Sequence, residues 1–79
     1  MARAKKLWLI VSFSTVTAAM AAENYCLEHE IPGRTIPLPG QIRAGCGLAW
    51  RSETAEKERL IKEFKDAGIA WEAMQECLL

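Results

Sequence analysis

The chain has 79 residues, and its ten basic and ten acidic side chains give a formal net charge of zero at pH 7. This length allows one domain, predicted over residues 1–79 with a disordered tail at residues 1–5. The balanced charge excludes the strong attraction that nucleic acids and anionic membranes exert on basic proteins, so we expect neither as a partner. The 51% hydrophobic content argues against a wholly disordered chain.

The first 22 residues, MARAKKLWLIVSFSTVTAAMAA, allow two interpretations. The basic start, the apolar stretch and the AMA segment are typical of a secretory signal peptide, whose removal would also remove the first strand. Four hydroxyl side chains interrupt the apolar run, however. The same stretch therefore also predicts a buried strand over residues 7–13 with a helix after it, and it is too polar for a membrane span of about 20 residues.

The first helix is predicted over residues 15–30, with Ser14 or Thr15 as its N-cap. Pro32 and Gly33 end it, which leaves His29 in solvent near its last turn. The apolar residues of this helix are expected to form its buried side. They are Val16, Ala19, Met20, Cys26 and Leu27.

Residues 34–39, RTIPLP, predict a short strand at the edge of a sheet, because Pro37 and Pro39 lack the backbone donor that a central strand needs. The connection GQIRAGCG follows. LAWRS, at residues 48–52, predicts the third strand.

The second helix carries the clearest signals in the chain. Thr54 is its predicted N-cap and Gly68 its C-terminal stop. The apolar residues between them recur at helical spacing. They are Leu60, Ile61, Phe64 and Ala67. Residues 69–78, IAWEAMQECL, predict the last strand and complete the order βαββαβ.

This order predicts an α+β fold, a ferredoxin-like two-layer sandwich with a four-stranded antiparallel sheet and both helices on one face. The first and third strands then lie in the centre of the sheet. Every residue from Leu7 to Val11 is apolar, so both faces of the first strand need cover, and the helices provide it on one face only. We therefore predict a homodimer through the open sheet face.

The three tryptophans, Trp8, Trp50 and Trp71, fall on three different predicted strands, where packing is their expected role. Trp50 shares strand parity with Cys46, so the two side chains are expected on one face of the sheet. If this is the open face, a partner could bury the tryptophan beside the thiol. If it is the helix face, Cys46 stays accessible only by lying in the loop.

Cys46 differs from an ordinary packing cysteine because it lies between Gly45 and Gly47, which provide no side chains to bury it. Arg43 and Arg51 are near it in the sequence and could stabilise a thiolate. Backbone N–H groups around the glycines could add an anion-binding nest. The alternative is that GCG is a tight bend of a hairpin in which the cysteine has a structural role.

The other cysteines, Cys26 and Cys77, cannot both pair with Cys46, and the spacing of the three matches no small disulfide framework. Reduced thiols, and thus a cytoplasmic protein, are the simpler interpretation. A zinc site of the three cysteines with His29 lacks the usual two-cysteine knuckle spacing, so we predict no metal and no other cofactor.

The segment IPGRTIPLPGQIRAGCGLAWR, together with the order of elements, resembles the small bacterial family of selenium or sulfur carrier-like proteins. TAAMAAE before it and GIAWE after it also match, so the resemblance covers nearly the whole chain. It implies a carrier that holds sulfur or selenium on Cys46 and exchanges it with donor and acceptor proteins. In the TusA-like sulfur carriers, related in idea, the reactive cysteine precedes its prolines, whereas here Pro37 and Pro39 come before Cys46.

Persulfide carriage needs a thiolate nucleophile and enough exposure for a partner to take the sulfur. No histidine or second cysteine adjoins Cys46, so no built-in base or resolving thiol is visible, and turnover of a small molecule by the chain alone is not expected. The alternative function is a protein-binding or regulatory module of the same fold, which would tolerate Cys46→Ala.

Overall fold

A computed structural model describes residues 5–40, 42 and 45–79. In chain order the elements are β1 (Leu7–Ser12), α1 (Val16–Glu28), β2 (Arg34–Pro37), β3 (Leu48–Glu53), a 3₁₀ turn (Thr54–Glu56), α2 (Lys57–Ala67) and β4 (Ala73–Leu78). The strands form one antiparallel sheet in the order β2-β3-β1-β4. This is the predicted ferredoxin-like α+β arrangement, with β1 and β3 in the centre and β2 at an edge. The predicted tail falls mainly on residues 1–4, which lie outside the described residues.

The sheet separates two apolar layers. Leu9 and Val11 of β1 pack with Trp50 of β3 in the layer that the two helices cover. Because successive side chains of a strand alternate between faces, Trp8 and Ile10 belong to the other layer, on the face opposite the helices. We call this opposite side the open face.

The open face is partly closed by the chain itself. Ile42, from the connection between β2 and β3, is only 7% exposed and packs with Ile10, Ala49 and Cys77. Leu38, from the start of the same connection, packs against this group. The expectation that something must cover the open face was right, but a segment of the same chain provides much of the cover. The homodimer through this face stays a prediction.

Helix α1 begins where the sequence predicts, because the Thr15 hydroxyl accepts a hydrogen bond of 3.1 Å from the backbone N–H of Ala18. It ends at Glu28, two residues earlier than predicted, and Glu30 adopts a positive φ of 54° before Pro32. Within the segment that resembles a signal peptide, residues 7–22 form the central strand β1, the turn after it and the first half of α1.

The buried side of α1 is predicted correctly at Ala19 and Cys26 and wrongly at the larger apolar residues. It consists of Ala19, Ala22 and Cys26, whereas the larger apolar residues are exposed. The exposed ones are Val16, Met20 and Leu27. Bulky rings of the sheet and of α2 fill the layer beneath α1, so small side chains let the helix approach closely.

Two details of α2 and β4 also correct the prediction. Thr54 opens the 3₁₀ turn and does not cap α2, whose first turn has no side-chain cap. Gly68 ends the helix as predicted, with a φ of 72°. The last strand starts at Ala73, so Trp71 is not on a strand, and its ring instead packs 6.1 Å from the ring of Phe64.

Candidate functional site

Cys46 lies in a bend immediately before β3, between the two glycines that single it out in the sequence. Gly47 has a φ of 75°, which side-chain-bearing residues rarely adopt. A Cβ atom on Gly45 would lie 2.6 Å from the carbonyl oxygen of Ser14, so only glycine fits there without a shift of the chain. The Cys46 loop, residues 45–47, is therefore seated against the turn that joins β1 to α1. The GCG pattern in the sequence indicates a tightly packed loop, but it does not identify Ser14 as the residue that the loop contacts.

The thiol of Cys46 is partly buried, and the side chain packs against the helix-covered layer. Its Sγ atom accepts a hydrogen bond from the backbone N–H of Leu48 at 3.4 Å. The thiol also donates to the carbonyl oxygen of Leu48 at 3.6 Å. Both contacts are local, and sequence reasoning did not anticipate Leu48 as the partner of the sulfur. They orient Sγ at the surface end of the layer.

Trp50 settles the choice between the two arrangements left open by strand parity. Its side chain is 1% exposed in the layer under the helices, so Cys46 and Trp50 share the helix-covered face. Cys46 keeps its partial exposure because it lies in the loop. Gly33 explains how the indole fits, since a Cβ atom there would lie 2.7 Å from the Trp50 ring.

The structure does not bring Arg51 to the thiol. The guanidinium carbon of Arg51 lies 4.2 Å from the centroid of the Trp8 ring, on the open face. The Nζ atom of Lys6 lies 4.4 Å from the same centroid and pairs with Glu53 at 2.7 Å. Arg51 thus contributes to a cation–π cluster on the face opposite Cys46. Arg43, the other predicted supporting residue, lies outside the described residues.

The two remaining cysteines are buried in different layers. Cys26 is fully buried on the inner side of α1, and burial raises the pKa of its thiol to about 12. Cys77 lies opposite Trp8 in the ladder between β1 and β4, in the open-face layer. His29 is exposed and stacks on the ring of Tyr25. Across residues 5–40, 42 and 45–79 no three His, Cys, Asp or Glu side chains gather in a way that could hold a metal ion.

Comparison with known proteins identifies the family. A family model described as "Putative Se/S carrier protein-like" matches residues 9–76, which include all the helices, the Cys46 loop and most of the sheet. The chain belongs to this Se/S carrier protein-like family. Searches of curated proteins and of solved structures returned no match. Within the part of the chain that the structure describes, the helices of this family member are too short or too polar to cross a membrane.

Proposed function

We propose that this protein carries sulfur or selenium on Cys46 and exchanges it with donor and acceptor proteins. The observation that carries the proposal is the contrast among the thiols. Cys46 is partly exposed in a surface loop, whereas Cys26 and Cys77 are buried. The family to which the chain belongs supports the same assignment.

The chemistry is a sulfur-atom transfer that needs no oxidant. The Cys46 thiolate attacks the outer sulfur of a persulfide on the donor protein, and a new S–S bond forms as the old one breaks. The donor leaves as a thiolate, and Cys46 becomes the persulfide. An acceptor thiolate or other nucleophile then removes the outer sulfur and restores the Cys46 thiolate. Selenium follows the same course with a selenosulfide in place of the persulfide.

The loop suits this exchange in two ways. Gly47 has no side chain, and among the described residues nothing beyond its chain neighbours lies within 4 Å of where its Cβ would be, so this side of the loop leaves room for an approaching partner. The N–H of Leu48 also donates a hydrogen bond to Sγ, which holds the sulfur in a fixed position in the loop. A reducing compartment keeps such a thiol available, and we therefore propose a cytoplasmic location.

Intact mass spectrometry of protein purified without reductant tests the proposal. We expect a species with one added sulfur or selenium that disappears on reduction and is absent from Cys46→Ser. The matched control is Cys77→Ser, which should retain the adduct because the Cys77 thiol is buried. An adduct that persists in Cys46→Ser would contradict the assignment of the carrier residue.

A second candidate is a protein-binding module in which Cys46 is structural. The observation in its favour is that Sγ contacts both backbone groups of Leu48 and so braces the loop. In that case Cys46→Ala keeps the binding function even if the loop is less stable, and the wild-type protein accepts no sulfur from a persulfide donor. Transfer of sulfur from a persulfide donor to the wild-type Cys46 thiol favours the carrier, and its absence favours the binding module.

A further inference from the structure

Two arginines lie directly opposite each other on the open face. Arg34, the first residue of β2, is paired with Arg51 in the ladder between β2 and β3, so the two side chains emerge on the same face of the sheet. We call these two residues the arginine pair. Like charges directly opposite each other in an antiparallel ladder destabilise a sheet. The fold itself therefore gains nothing from placing two cations at this position.

The arginine pair has no carboxylate partner in the part of the chain that the structure describes. The ion pairs there join other residues, Lys6 to Glu53 and Arg59 to Glu56. The residues outside the described ranges, 1–4, 41 and 43–44, include no aspartate or glutamate. No acidic side chain of this chain therefore pairs with either arginine.

The guanidinium of Arg51 is held in place but still needs hydrogen-bond acceptors. Its carbon atom lies 4.2 Å from the centroid of the Trp8 ring, and this contact orients the group. Its Nε atom is buried without an acceptor among the described residues. A guanidinium has five N–H donors and binds a carboxylate through two of them at once. Both the donors and the opposed charges of the arginine pair thus fit an anion.

The other charges of the open face do not cancel those of the arginine pair. Strand alternation places one strand carboxylate on this face, that of Glu53, which lies opposite Trp8 in the ladder. Its Oε1 atom pairs with the Nζ atom of Lys6 at 2.7 Å, so these two charges offset each other. The residues of β4 on this face are uncharged. They are Ala73, Gln75 and Cys77. The arginine pair therefore leaves its end of the open face positive.

The position of the arginine pair favours a protein over a small anion. Arg34 is exposed on an edge strand, and the described residues line no cavity that could enclose a small ligand. Small ligands bind mainly in concave sites, whereas a protein adds contacts around a charged pair on an open surface. The partly buried Trp8 lies beside Arg51, and tryptophan and arginine are enriched among the residues that dominate binding at protein interfaces.

We propose that the arginine pair docks an acidic segment of a partner protein, whose aspartate or glutamate carboxylates bind the two guanidinium groups. Charge complementarity selects this partner, because a second copy that presented the same pair would be repelled. The pair lies on the face opposite Cys46, so the inference goes beyond the proposed function and is tested separately from it. A partner bound at the arginine pair does not cover the Cys46 thiol.

Titration with a synthetic hexaglutamate peptide, acetylated and amidated at its ends, tests the inference. Nuclear magnetic resonance at low salt follows the backbone amide signals of the arginine pair and the indole N–H signal of Trp8. Arg34→Gln and Arg51→Gln should each weaken binding about tenfold, because each removes a charge-assisted hydrogen bond. Lys62→Gln is the matched control, since it removes the same charge from an exposed position of α2 and should bind like the wild type.

Arg34→Gln also separates binding from stability. Because the substitution removes the contact between like charges, its melting temperature should equal or exceed that of the wild type. Added salt should weaken peptide binding more in the wild type than in either arginine variant. A lower melting temperature together with lost binding would show that Arg34 stabilises the sheet itself, and it would overturn the inference.

Four further results would overturn the inference. The first is a wild-type protein whose signals do not respond to hexaglutamate, and the second is an equal loss of binding in Lys62→Gln. The third is a phosphoserine peptide that binds where hexaglutamate does not, which would assign the pair to phosphate. The fourth is a wild-type dimer in sedimentation that Arg34→Gln dissociates. Failure of Cys46 to carry sulfur leaves the inference intact, because the titration does not involve the thiol.

Discussion

The two faces of the sheet are closed in different ways. The helix-covered face is covered by regular secondary structure, and Leu60 and Phe64 of α2 are fully buried against it. The open face is covered by the connection between β2 and β3, whose Ile42 packs over the central strands. One face is therefore stabilised by regular secondary structure and the other by a segment without any.

This difference explains how the Cys46 loop is positioned. Ile42 packs on the open face, and four residues later Cys46 packs on the helix-covered face. The connection is thus attached to both layers at the end of the sheet. A loop held in this way can expose a thiol and still keep it in a defined place, which favours a fixed functional residue on an otherwise small scaffold.

The largest effect is expected on the helix-covered face. Phe64→Ala removes a fully buried ring that contacts Phe13, Tyr25 and Trp71, and it should lower the free energy of unfolding by about 3–5 kcal/mol. Urea denaturation followed by circular dichroism measures the change. Leu78→Ala, at an exposed position, is the control and should change stability by less than about 0.5 kcal/mol.

A smaller loss of stability is expected when the Ile42 side chain is removed from the open face. Ile42→Ala should cost about 2 kcal/mol, at the low end for a buried isoleucine, because a loop can relax around the cavity. The same variant should increase the rate at which iodoacetamide modifies Cys77, which shares this layer. An unchanged modification rate at Cys77 would mean that Ile42 does not seal the open face.

Much of the fold could be predicted because local signals agree with it. The unbroken apolar run of β1 requires cover on both faces, and Thr15 and Gly68 mark helix ends through their own backbone chemistry. The role of Ile42 could not be predicted, because only the three-dimensional path of the connection brings it over the sheet. Hydrophobicity alone also predicts that Met20 is buried. In the structure α1 packs closely on the layer beneath it, so the small Ala19 and Ala22 are buried instead.

The candidate site was predicted in part. The glycines beside Cys46 indicate a loop that presents the side chain, and the structure places it in such a loop. The position of Arg51 could not be read from its distance along the chain. Strand alternation directs its side chain to the opposite face of the sheet, where Trp8 provides a flat apolar surface for the guanidinium.

The buried thiol of α1 should make stability depend on pH. The pKa of Cys26 is raised from 9.0 to about 12 by burial, so the unfolded chain loses the thiol proton at lower pH than the folded protein does. Its contribution is fully present below pH 9.0 and is lost as the pH rises towards 12, with a slope of at most about 1.4 kcal/mol per pH unit. Comparison of wild type with Cys26→Ala over this range isolates the effect from that of tyrosines and lysines. Parallel pH profiles would contradict it.

The smallest effect is expected in the cation–π cluster of the open face. Arg51→Gln removes one of the two cations over Trp8 and should cost about 0.5 kcal/mol. Thermal unfolding measures this change, with Lys57→Gln as an exposed control on α2. The rate of persulfide loading at Cys46 should be unchanged by Arg51→Gln, because the two side chains lie on opposite faces of the sheet. A slower rate would show that the guanidinium acts on the thiol.

The hydrogen bond from Leu48 to the Cys46 sulfur makes one backbone amide sensitive to cargo. A second sulfur or a selenium atom on Sγ changes the electron density and the position of the acceptor that this N–H contacts. The nuclear magnetic resonance signal of the Leu48 amide should therefore shift when the protein is loaded and return when it is emptied. Occupancy could then be followed in real time without a label on the cargo.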